Sequence, residues 1–145
     1  MNTPLARRLA DTHQAGLYHM PELPWAVLAQ AAARAGLRIL AVDFSACRSK
    51  AAMLAELGRA CAFPEWHGGN LDALLDGLCD PGWQAGANHL LLLTGVANLH
   101  RAAPGGLAGL REVLAAACDE RREAGRPLWA LLDAPTAGVA DFPTP

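Results

Sequence analysis

Apolar positions recur along this chain with two spacings, and the switches between them outline the fold. In PWAVLAQAAARAG (24–36), Leu28, Ala31, Ala32 and Ala35 follow the i, i+3, i+4, i+7 rule of a helix face, and Gly36 stops the helix just past its end. LRILAVDF follows as a strand through Asp43. Ser49 caps the next helix, whose apolar face is Met53, Leu54, Leu57 and Cys61, and Pro64 ends it. A short helix starts near Asn70 and is stopped by Pro81 and Gly82. HLLLLTGV (89–96) reads as a buried central strand. Pro104 and the glycines after it turn the chain into a long helix from about Leu107 to Ala124. Its face is Leu107, Leu110, Leu114, Ala117, Cys118 and Arg121. Gly125 ends that helix, and Pro127 precedes a last strand, LWALL (128–132). Nearer the start, GLYHMP reads as a short edge strand before Pro21.

Strands alternating with helices imply crossover connections and a parallel sheet. The expected class is α/β: a small parallel sheet of three to four strands with helices packed on it. Residues 1–15 read as a loosely held N-terminus and 16–36 as a strand–helix extension. The domain proper is expected over 37–133, with 134–145 a flexible Pro-rich tail.

Composition narrows the class. A chain of 145 residues, about half of them apolar, is long enough for one domain with a sizeable core. A net charge of −2 does not mark a nucleic-acid binder, so no direct nucleic-acid partner is expected. MNTPLARRLADTH lacks the apolar region of a signal peptide, and LLLL (90–93) is too short to span a bilayer. The expectation is a soluble cytoplasmic protein, monomeric when free. Cys47, Cys61, Cys79 and Cys118 form no CxxC pair and read as buried free thiols. His13, His19, His89 and His100 show no metal-ligand spacing. Neither metal nor cofactor is expected.

Charge is distributed unevenly. No Lys or Arg occurs between Arg59 and Arg101, yet Glu65, Asp72, Asp76 and Asp80 fall in that gap. At 100° per residue, Leu71, Leu74, Leu75 and Leu78 cluster on one side of the short helix and the aspartates descend the other. Asn70 as N-cap puts Asp72 in the first turn, where the helix dipole favours it; Asp76 and Asp80 lie toward the negative end. Like charges four apart cost roughly 0.2–0.5 kcal/mol per pair. A cationic partner would relieve this. Trp66 and His67 precede the helix, Gly68 and Gly69 leave room for close approach, and Trp83 follows it. The plainer reading is a solvated helix face, with Trp66 and Trp83 as core residues and His67 as an ordinary loop residue.

The segment FPEWHGGNLDALLDGL resembles the signature of the barstar family, intracellular inhibitors of barnase-type ribonucleases. The matching features are Pro64-Glu65, the aromatic Trp66, Gly68, Asn70-Leu71-Asp72-Ala73-Leu74 and Asp76. The order of elements from Leu37 to Leu132 is similar to the family's small parallel sheet, and the added N-terminal strand and helix suggest its larger bacterial subgroup. The resemblance implies that the acidic helix and the loop before it plug a cationic ribonuclease active site. Asp76 would be the central anion and Asp72 a second one. Trp66 would stack near the enzyme's catalytic histidine, Asn70 and Gly68 would shape the loop, and Gly82 and Trp83 would form the far rim. Asp80, His67 and Leu75 complete the expected partner-binding set. The family's inhibitor prototype has a tyrosine, an acidic residue and an aromatic where this chain has His67, Gly69 and Leu75. The implied partner is a basic extracellular-type ribonuclease or a related toxin.

Two other classes compete. Paired carboxylates with His67 nearby can do acid–base work, but the acids lie on an exposed helix face and the chain has no GxSxG and no phosphate-binding glycine loop. The expectation is therefore not an enzyme. The alternative is a barstar-fold interaction module whose partner is not a ribonuclease.

Overall fold

The computed structural model describes residues 3–63 and 69–143. The elements are α1 (Pro4–Ala10), β1 (Leu17–His19), α2 (Trp25–Arg34), β2 (Leu37–Asp43), α3 (Lys50–Ala60), α4 (Leu71–Cys79), β3 (Asn88–Thr94), α5 (Val96–Ala102), α6 (Pro104–Glu123), β4 (Leu128–Leu132) and β5 (Ala140–Asp141). All strand pairs are parallel, in the order β2-β3-β4-β1-β5. Helices flank the sheet on both faces, the α/β architecture the alternating pattern implies.

The strands sort their side chains by the two-residue period. Val42, Leu91, Leu93, Leu128, Ala130 and Leu132 meet the apolar sides of α3, α4, α5 and α6 in one core. Leu37, Leu90, Leu92, Trp129 and Leu131 meet α1 and α2 in the other. Ser49 caps α3 as expected, accepting from the Ala52 N–H at 3.1 Å.

Five expectations are corrected. Among the described residues the sheet has five strands, not three or four, and β1 is not at its edge: it pairs with β4 on one side and β5 on the other. Part of the expected flexible tail is that fifth strand, and Phe142 beyond it is buried against Trp129, with ring centroids 5.6 Å apart. The first fifteen residues are not loosely held where described: Thr3 caps α1, Pro4 starts it, and Ala6 and Leu9 are buried. The long helix begins at Pro104 and is preceded by the unexpected α5. The start of α5 is tied down from afar, since the Asp133 carboxylate accepts from the Gly95 and Val96 N–H groups at 2.9 and 3.0 Å.

Among the described residues, no helix is long and apolar enough to cross a membrane. No group of His, Cys, Asp or Glu there could hold a metal ion. The cysteines are free thiols, with Cys47, Cys61 and Cys118 buried and Cys79 half-buried.

Candidate functional site: the acidic helix and its supports

Helix α4 forms because its leucines have a surface to cover. Leu74 and Leu78 are fully buried, and Leu71 and Leu75 pack partly against the same core. Asn70 caps the helix, its Oδ1 accepting from the Ala73 N–H at 2.7 Å. Two glycines set how closely α4 docks. A Cβ at Gly77 would lie 2.7 Å from the Phe63 ring, and one at Gly109 on α6 would lie 2.5 Å from Leu71. Glycine at both positions lets α4 sit tight against α6 and the end of α3.

The opposite side of α4 carries Asp72, Asp76 and Asp80, all exposed. Asp80 is engaged locally: its Oδ1 accepts from the Gly82 N–H at 2.8 Å, closing the turn after the helix. Neither Asp72 nor Asp76 has a hydrogen bond or ion pair among the described residues. The cations that come near α4 are spent on its backbone. Arg126 donates to the Cys79 carbonyl at 3.0 Å, and Arg121 makes a longer contact to the Leu78 carbonyl at 3.5 Å.

The expected partner-binding residues divide accordingly. Asp72 and Asp76 lie on one exposed face, with Asp80 and Gly82 exposed at the far end. The side chain of Asn70 is used for capping, and Leu75 is half-buried with the core leucines. Trp66, His67 and Gly68 lie outside the described residues.

Trp83 is corrected from rim to core. It is 6% exposed, donates through Nε1 to the Cys61 carbonyl at 2.8 Å, and stacks on His89 with centroids 4.2 Å apart. Phe63 tilts against its ring at 5.4 Å. An indole that satisfies its one donor internally and is covered on its face belongs to the scaffold.

Behind Trp83 lies a polar cluster whose importance sequence reasoning missed. Arg121 is 1% exposed and has no carboxylate partner among the described residues. Its Nε donates to the Arg126 carbonyl at 2.8 Å and its Nη2 to those of Ala87 and Pro127 at 2.9 and 3.5 Å. Its Nη1 reaches His89 Nδ1 at 3.2 Å as well as the Leu78 carbonyl. With five acceptors the guanidinium is satisfied without a counter-ion. Burial lowers its pKa to about 10. His89 is held neutral, with Nδ1 accepting from Arg121 and Nε2 donating to Gln84 Oε1 at 3.0 Å. Burial, then the Arg121 charge, pushes its pKa down to about 4. The signal was available: Arg121 falls on the apolar face of the α6 pattern, where a cation must find acceptors.

The arrangement is therefore a closely packed helix that presents two carboxylates without partners among the described residues, with aromatic and cationic groups turned inward beneath it. A comparison with protein families assigns the chain to a family. The family model described as Barstar (barnase inhibitor) matches residues 37–133, more than half of the chain. The chain belongs to the barstar family, whose members are ribonuclease-binding, non-enzymatic inhibitors. No curated protein matched the chain. The matched span begins with β2 and ends just after β4, so α1, β1, α2 and β5 lie outside it.

Proposed function

We propose that this protein acts in the cytoplasm as an inhibitor of a basic, barnase-like ribonuclease, occluding its active site with α4 and the loop that precedes it. A site that binds RNA phosphates is cationic, and a row of fixed carboxylates on a rigid helix imitates the polyanion it evolved to hold. Opposite charge draws the pair together over a distance, and carboxylate–arginine hydrogen bonds then hold the complex. The observation that carries the reading is that Asp72 and Asp76 are exposed on one face and unpaired among the described residues. Helix α4 presents the anions, Asn70 fixes its start, and Asp80 with Gly82 fixes the turn at its end.

The test is inhibition of RNA cleavage by a purified barnase-like enzyme, titrated at two salt concentrations. Stoichiometric inhibition that weakens steeply with salt is expected, with Asp76→Ala losing more affinity than Asp72→Ala. If cleavage continues at full rate under a large excess of the folded protein, the ribonuclease reading fails.

A further inference from the structure

Two carbonyls at the α4 C-terminus, those of Leu78 and Cys79, take their donors from outside the helix. An α-helix leaves its last carbonyls without intrahelical partners, and they form the negative end of its dipole. In α4 this end coincides with acidic side chains, and the last turn contains no basic residue. The Gly77 carbonyl is met by the Asp80 N–H at 3.4 Å. The Leu78 and Cys79 carbonyls are met by Arg121 and Arg126, from the end of α6 and the turn after it. The two arginines are themselves joined, since Arg121 Nε donates to the Arg126 carbonyl. Their charges therefore offset the helix's negative pole at the backbone and leave the carboxylates of Asp72 and Asp76 without a partner among the described residues.

We propose that Arg121 and Arg126 form a cationic clamp that positions the inhibitory helix, and that Arg126 is its adjustable half. This rests on α4 being the inhibitory surface. Arg121 is buried and fully bonded, so its loss would cost the fold. Arg126 is half-buried, and its side chain meets α4 at the Cys79 carbonyl. Without that contact the last turn of α4 frays, and Asp76 in that turn is no longer held in one place. Long-range attraction depends on the carboxylates being present, whereas residence depends on their being fixed. Removing Arg126 therefore acts on dissociation. It also removes a positive charge beside an acidic site, so it does not slow association with a basic partner.

The experiment compares parent, Arg126→Ala, Arg126→Gln, Arg126→Lys and Asp76→Ala for binding to a barnase-like ribonuclease by surface plasmon resonance, with amide hydrogen exchange on the free proteins. Arg126→Ala is expected to raise the dissociation rate about tenfold. Its association rate should stay the same or rise up to about twofold, and exchange should quicken at Leu78, Cys79 and Asp80. Arg126→Gln moves both readouts the same way by a smaller factor, and carries the test if the alanine variant does not fold. Arg126→Lys, which keeps a cation that can reach a carbonyl, restores the dissociation rate to within about twofold of the parent. A merely structural loss would lower the active fraction and leave the rate constants of the remainder unchanged. Parent-like dissociation for both Arg126→Ala and Arg126→Gln, with Asp76→Ala still dissociating fast, overturns the clamp alone. An unaffected Asp76→Ala overturns the inhibitory reading beneath it.

Discussion

Helices α4 and α6 lie against each other and both carry acidic residues on their outer faces, but α6 intersperses arginines among them and α4 carries no cation at all. On α6, Arg122 bonds Asp119 at 2.6 Å one turn away and also reaches the Ala15 carbonyl at 2.8 Å. Arg111 on the same helix donates to the Ala137 carbonyl. Those charges have local partners, as on an ordinary solvated face. On α4, Asp72 and Asp76 have none among the described residues, and the arginines close by go to backbone carbonyls instead. An acidic row with no cation on its own helix, beside a helix of mixed sign, marks where the chain keeps charge for another molecule.

The largest effect expected from breaking this contrast comes from Asp76→Ala. Loss of one member of a desolvated charge pair costs 2–5 kcal/mol, or roughly thirty- to three-thousand-fold in affinity, a range measured partly on the barnase–barstar pair itself. Folding should move the other way. The variant loses two like-charge neighbours four residues off, Asp72 and Asp80, so its urea midpoint should match the parent's or exceed it. A drop in stability alongside the drop in affinity would show that Asp76 serves the fold.

Asp80→Lys makes α4 resemble α6 by giving Asp76 a cation four residues on. Inhibition should weaken about tenfold, as the new lysine competes with the ribonuclease for the carboxylate and repels the cationic cleft. Calorimetric binding equal to the parent's would count against the importance of leaving Asp76 unpaired.

Acidification probes the buried link between the two helices. His89 has a folded pKa of about 4 against an ordinary value of 6.5. Between those values the unfolded chain takes up a proton that the folded one refuses. Stability contributed by neutral His89 is therefore whole above pH 6.5 and is lost as pH falls toward 4. The urea midpoint of the parent should decline across that window, and His89→Gln should flatten the decline. Equal slopes for the two proteins would show that the ring is not the group responsible.

The smallest effect belongs to Asp119→Ala on α6. Breaking an exposed pair is worth at most about 1 kcal/mol, and inhibition should be unchanged. A binding defect from Asp119→Ala would move the interface off α4.

Much of this was legible in the sequence because it is local. The period-two strands, the Ser49 and Asn70 caps and the division of α4 into leucine and aspartate sides each depend on residues within a few positions of one another. What escaped depends on distant partners. Two residues of β5 carry no alternation to read, and they pair only because His19 and its neighbours lie alongside. Helix α5 starts where the Asp133 carboxylate, far along the chain, meets its first N–H groups. Trp83 follows Pro81 and Gly82 and so resembles a loop aromatic; the Cys61 carbonyl and His89 that bury it come from other elements. Helix α1 is the exception, since Thr3 followed by Pro4 is a local start signal.

The terminal segments of the described chain come together. Thr3, Pro4 and Phe142 border the same groove, beside α2 on the sheet layer away from α4. Ala6 and Leu9 of α1 and Phe142 share the core there, so segments far apart in sequence close one face of the sheet together. That layer lies across the sheet from α4, so the proposed nuclease contact and the face closed by α1, α2 and Phe142 are built on opposite sides of the same strands.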